Sequence, residues 1–169
     1  MFERFEKPAQ AYQFKLGATL QMEQKILDML EENIEAAQDD QVKELLRTHQ
    51  QETRQHVEIL EQVFGAFEWE VDDSPCPAIE GLEKEGKAMI KKTDDSFVDS
   101  VILQGAVEVE HHEIGAYTNL ILNARAMGRQ DVVDLLEQNL HSEEEALQKV
   151  IAQQEHVAAV SPKPESTRT

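Results

Sequence analysis

Apolar residues recur at alternating steps of three and four along four long stretches of this chain, the spacing that lines one face of a helix. The third stretch reads Leu103, Ala106, Glu110, Glu113, Tyr117, Leu120, Ala124. Two carboxylates and a phenol stand where Leu or Ile belongs. The first stretch reads Leu16, Leu20, Glu23, Leu27, Leu30, Ile34. The second reads Val42, Leu45, His49, Glu52, His56, Ile59, Val63, with His, Glu and His in succession. The fourth reads Val133, Leu136, Leu140, Glu143, Leu147, Val150. A second frame through Leu140, Glu144, Leu147 and Ile151 also fits, which makes Glu144 a lesser candidate.

The punctuation between the stripes predicts the elements. Pro8 favours the first turn of a helix, so helix one runs from Ala9 to Ala37. Asp39 and Asp40 break the chain and cap helix two, from Asp40 to Phe64, with Gly65 as its stop. Asp72, Asp73, Ser74, Pro75 and Pro77 mark residues 66–77 as a linker. A short helix follows from Pro77 to Lys92. Thr93 to Ser96 then caps helix three, 96–127, which Gly128 ends. Helix four spans Gln130–His156. The Pro-, Ser- and Thr-rich segment 157–169 is expected to be a disordered tail. The pattern predicts a single all-α domain over 1–156, a four-helix bundle with a short extra helix in the long connection between helices two and three.

Composition sharpens this picture. Ala, Leu, Glu and Gln dominate, all good helix formers. The 16 basic and 34 acidic residues give a formal charge of −18. So acidic a surface repels nucleic acid and anionic membranes, whose phosphates call for Lys and Arg patches. No run is long and apolar enough to span a bilayer. Cys76 is the single cysteine, so no internal disulfide forms. The segment MFERFEKPAQ lacks the apolar core of a signal peptide. A cytoplasmic protein is expected.

Each of the four helices thus carries acid on its inner stripe, near its middle. In antiparallel helices such positions come to a common level. The bundle centre would hold Glu23, Glu52, Glu110, Glu113 and Glu143, with His56 one turn from Glu52. Unpaired, these carboxylates would repel strongly in a medium of low dielectric. A divalent or trivalent metal relieves this, and carboxylate with imidazole suits iron or manganese. His49 fits a ligand, a hydrogen-bonding support for one, or a satisfied core histidine. His111, His112 and His141 lie off the stripe. Tyr117 reads as a core aromatic or as a group beside the metals, and Cys76 as a small packed side chain.

The sequence resembles the ferritin-like stress proteins of the YciE/YciF type. MEQKIL around Glu23, HQQETRQHVEILEQVF from His49 to Phe64, CPAIEGLEKEG from Cys76, VEHHEIGAY from Val109 to Tyr117 and the L-x-x-E of Leu140 to Glu143 carry the resemblance, which covers most of 10–155. It implies a bacterial, cytoplasmic four-helix bundle, dimeric, with a di-metal centre and a stress-linked role. Some positions depart from the pattern. Ferritin relatives usually place His three residues after Glu on two helices; here Gln55 and Ala146 hold those places. Leu147 and Ser142 stand where the family often has acid. Glu113 could supply the missing ligand, and occupancy by one metal, two or none stays open.

Three functions fit these residues. The leading one is a di-iron or di-manganese carboxylate protein that reduces O2 or peroxide, serving peroxide or iron detoxification. The second is a metal-binding or structural stress protein without turnover. The third, a storage cage, has no cage-forming surface to support it. A homodimer is expected from the resemblance together with apolar residues on the outer faces, Ile26, Val57, Val101 and Ile121. Those residues could equally meet the short helix and linker.

Overall fold

The structure, a computed structural model, describes residues 4–160 of the 169. Five α-helices follow one another: α1 (Pro8–Ala36), α2 (Asp40–Ala66), α3 (Pro77–Lys92), α4 (Val98–Ala126) and α5 (Gln130–Val160), with a 3₁₀ turn, Asp95–Phe97, before α4. No strand occurs among the described residues. The four long helices form the expected all-α, ferritin-like bundle. The connection from α2 to α4 runs the length of the bundle and carries α3, the single long crossover that distinguishes ferritin-like bundles from simple up-and-down ones.

Local chemistry sets the helix ends. The Asp39 side chain accepts hydrogen bonds from the Gln41 and Val42 amides, capping α2. The Asp99 carboxylate accepts from the amides of Gln38 and Asp39 at 2.8 and 3.0 Å. That ties the α1–α2 corner to the first turn of α4. At the opposite end Arg129 lies 4.1 Å from the Phe67 ring centre and donates to the Ala66 carbonyl oxygen. This binds the end of α2 to the start of α5. Gly128, at φ 72°, makes the left-handed turn that stops α4.

The observed limits depart from the sequence reading in three places. Gly65 lies inside α2 and does not stop it; the helix ends one residue later, at Ala66, and Glu68 takes the positive φ of 57°. Helix three begins at Val98, because residues 95–97 wind as 3₁₀. Helix four continues past His156 to Val160, so residues 157–160 do not belong to a disordered tail. Val157 is apolar and buried, which favours another turn of helix. The remainder of the expected tail, 161–169, lies outside the described residues.

The core fills the space between the four long helices. Ile26 and Ile121, expected on the outer face, are covered within the single chain. The part of the dimer expectation that leaned on them loses its footing. The connection also presses closely on α1. A Cβ at Gly17 would stand 2.6 Å from the Asp72 carbonyl oxygen and 2.9 Å from the Ser74 nitrogen. Only glycine leaves room for that approach. Among the described residues no helix is long and apolar enough to cross a membrane.

Candidate metal centre

The middle of the bundle is polar. Glu23 comes from α1, His49 and His56 from α2, Glu110 and Glu113 from α4, and Glu143 from α5, and all six are buried. The spacing on each helix explains the convergence. His49 and His56 are two turns apart on one face, and Glu110 and Glu113 are neighbours across one turn. Two groups result. His49, Glu110, Glu113 and Glu143 each offer a donor atom, all within 4.8 Å of one another; Glu23, His56 and Glu143 form a second such group. Glu143 belongs to both, as a carboxylate shared between two ions would.

The contacts inside these groups are close but poorly aligned. His56 Nδ1 lies 2.7 Å from Glu143 Oε1 and 3.8 Å from Glu23 Oε2, and His49 Nε2 lies 3.1 Å from Glu110 Oε1. Neither imidazole makes an aligned hydrogen bond through these nitrogens. Glu23 Oε2, Glu110 Oε2 and both oxygens of Glu113 and of Glu143 are likewise buried without a hydrogen-bond partner. Leaving one such atom unpaired costs about 1–3 kcal/mol. These atoms lie close together without pairing with one another. Metal donors at about 2.1 Å from an ion, set at right angles, stand about 3 Å apart; the 2.7 and 3.1 Å contacts are near that separation and the 3.8 Å contact is wider. The donor set, carboxylates with imidazole, suits iron or manganese.

Protonation tells the same story. Burial pushes Glu110 up to about 8, with Glu143 and Glu23 adding repulsion and His49 opposing it. Burial raises Glu113 well above the carboxylate range, aided by Glu143, Glu23 and Glu110. It raises Glu23 too, against the pull of His56. Burial alone would lower the two histidines, but the surrounding carboxylates outweigh it. Glu52 and Glu110 lift His49 to about 9, and Glu143 and Glu23 lift His56 to about 10. In the metal-free chain, burial and mutual repulsion favour the protonated forms of Glu23, Glu110 and Glu113.

Three further groups hold the donors. Tyr117 is fully buried and its hydroxyl donates a short hydrogen bond to Glu23 Oε1. Asn139 is fully buried and its Nδ2 donates to the Tyr117 oxygen at 3.0 Å and to the His56 carbonyl oxygen at 3.1 Å. Glu52 lies outside both groups. It is partly exposed, 3.6 Å from His49 Nδ1 and 3.1 Å from the Lys149 ammonium, and these partners pull its carboxyl below the usual range. Its place is behind His49, where it biases the ring's orientation. Thr53, one residue on, takes the buried position instead.

Of the seven residues singled out in the sequence, six therefore meet at the centre and Glu52 stands beside it. The apolar stripe of helix four runs through Leu140 and bypasses Asn139; the row Leu136, Asn139, Glu143, Ala146, Val150 has the same spacing and contains it. Glu144 is exposed. His111 is exposed and His112 half-buried, its Nε2 3.9 Å from Cys76 Sγ.

A ferritin-like four-helix bundle with a buried carboxylate–imidazole cluster is the class that this fold and donor set define. The family described as Domain of unknown function (DUF892) matches residues 7–160, and the chain belongs to it. Protein YciF of Escherichia coli K12 is 27% identical over 130 residues, covering 76% of this chain and 78% of YciF. The structure of YcfI from Rhodopseudomonas palustris is 32% identical, with a TM-score of 0.85 over 89% of this chain and 98% of that one. The crystal structure of the E. coli stress protein YciF matches with a TM-score of 0.88 at 22% identity, over 93% and 100% of the two chains. At that identity the likeness shows the fold alone.

Proposed function

We propose that this chain is a di-metal carboxylate protein of the stress response, holding iron or manganese between α1, α2, α4 and α5 and acting on O2 or peroxide. One observation carries the reading: Glu113 is 0% exposed and neither of its oxygens has a hydrogen-bond partner, and Glu143, also 0% exposed, has only the misaligned His56 imidazole 2.7 Å from Oε1. Burying unpaired carboxylates is costly unless they are neutralised by a bound cation. His49, Glu110 and Glu113 would hold one ion, Glu23 and His56 the other, and Glu143 would serve both. The metals, when bound, supply the one-electron redox chemistry.

The chain supplies the rest. Tyr117 fixes one oxygen of Glu23 and leaves the other facing His56. Asn139 fixes Tyr117 and the backbone at His56 together. Glu52 holds the outer side of His49, and the packed helices exclude bulk water.

The test is metal content after purification without chelator, then Fe(II) titration under anaerobic conditions, then O2 or peroxide consumption. Uptake of two ions with oxidant consumption supports the proposal. Uptake without consumption would leave the metals as a staple of the bundle, the non-catalytic alternative. No uptake would refute both.

A further inference from the structure

A cavity of about 330 Å³ lies beneath α3, within the size range of small-molecule sites. Its walls are mostly apolar: Ile26 and Leu30 from α1, Leu82 and Ile90 from α3, Ile102 and Val109 from α4. Gly86 of α3 and Gly105 of α4 also line it, and a Cβ added at either meets nothing within 4 Å. Glycine inside a helix costs about 1 kcal/mol relative to alanine; here the missing side chains leave open space. Along α4 the wall extends from Val101 to Glu110, about 13 Å at 1.5 Å per residue.

The inner wall differs from the rest. His49 and Glu110 line the cavity, both buried, with His49 Nε2 and Glu110 Oε2 lacking hydrogen-bond partners. The charges on the outer wall are those of Glu32, Glu83, Glu85, Glu108, Lys87 and Lys91. Lys87 is already held between Glu83 and Glu32 at 2.8 and 2.9 Å. The balance is acidic, which disfavours an anionic ligand. An apolar cavity of this kind gains little from ordered water, since water needs polar partners.

We propose that the cavity binds an uncharged alkyl chain with a terminal oxygen, of the class of a primary alkanol. The tail lies under α3, and the hydroxyl donates to Glu110 Oε2 beside His49. As a substrate site the cavity rests on the metal-centre reading above; as a binding site it does not. It supplies the centre with an apolar reactant by a route lined by α1, α3 and α4.

The probes are the alkanols from hexanol to decanol, titrated by calorimetry into metal-free full-length protein. Affinity rises about fourfold per methylene, from about 0.8 kcal/mol per buried CH2, until the chain outgrows the cavity. Decanoate binds more weakly than decanol. Gly105→Leu fills the space from α4 and weakens decanol binding by at least an order of magnitude, while the metal-induced rise in melting temperature is retained. Gly86→Leu makes the same test from α3 if the first variant is poorly folded.

Affinity independent of chain length, or unaffected by both variants, overturns the inference. Metal uptake without alkanol binding overturns it and leaves the metal centre standing. Alkanol binding without metal uptake supports the cavity and sinks the metal reading. Dimerisation that competes with decanol would assign this face to a second copy of the chain and overturn the proposal.

Discussion

Replacing Glu110 and Glu113 together by Gln separates the cost of the buried charges from their use. Glu110 titrates at about 8 in the folded chain, against 4.5 for an ordinary glutamate. At pH 7, holding it neutral costs about 3 kcal/mol, at about 1.4 kcal/mol for each tenfold change. Glu113 is raised in the same direction by the same neighbours, so the two costs overlap. Gln keeps the size and removes the titration. Against that gain, His49 loses the carboxylate 3.1 Å from Nε2, and a poorly paired buried amide costs about 1–3 kcal/mol. The net effect on the metal-free protein is a gain of up to about 2 kcal/mol, or up to roughly 8 °C in Tm at 2–4 °C per kcal/mol for a chain of this size. Metal at a hundredfold excess over Kd stabilises the wild type by about 2.7 kcal/mol, and the double variant loses that increment. Thermal melts with chelator and with Fe(II) or Mn(II), run anaerobically, read both effects. Equal melting of the two metal-free proteins, with equal shifts on adding metal, would refute the reasoning.

Other outcomes follow from the same geometry. The raised Glu23, Glu110 and Glu113 contribute stability that is full below the ordinary carboxyl range and lost as pH rises through their folded values. His49 and His56 contribute stability that is full below about 6.5 and lost through about 9 and 10. Denaturant midpoints of the metal-free chain should therefore fall from pH 5 to pH 10, while the increment added by metal grows; a flat profile would contradict the burial of these groups. His49→Ala and His56→Ala should each reduce the bound metal from two ions to one, since each belongs to one donor group; unchanged stoichiometry in either would break that assignment. Tyr117→Phe leaves Glu23 Oε1 without its donor and Asn139 Nδ2 without one acceptor, a loss of about 1–3 kcal/mol per unsatisfied group, measurable by urea denaturation. Gly17→Ala, with its Cβ against Asp72 and Ser74, should cost about 1–3 kcal/mol through overpacking; a stabilised variant would show that the connection does not press on α1.

The bundle was legible because its stripes are long and its breaks are marked by Pro, Asp and Gly. The central cluster was legible because acid on the inner face of four helices is a conflict that local sequence cannot resolve. What escaped was phase. From Val42, the steps 45, 49, 52, 56, 59, 63 and 46, 49, 53, 56, 60, 63 share both histidines and differ by one residue between them. Each row has three apolar residues beyond Val42, and a one-residue shift turns a side chain by about 100°. The packing against α1 and α5 chose Leu46, Thr53 and Leu60, and this moved Glu52 out to Lys149. Asn139 was hidden by the same ambiguity. The pairing of Cys76 with His112, and the tight contact at Gly17, depend on the path of the connection, which no periodicity encodes.

α3 has one fully buried side chain, Ile79; the rest of the helix is half-covered or exposed. Each long helix of the bundle has many. Local opening energy scales with such burial, so α3 lies at the low end of the chain's stability range. Its amides should exchange with solvent through an opening that leaves the four long helices closed, and at a rate indifferent to the global unfolding energy. The space below it, already partly open to solvent, widens with that fluctuation, so room for a larger occupant comes and goes as one sixteen-residue helix lifts.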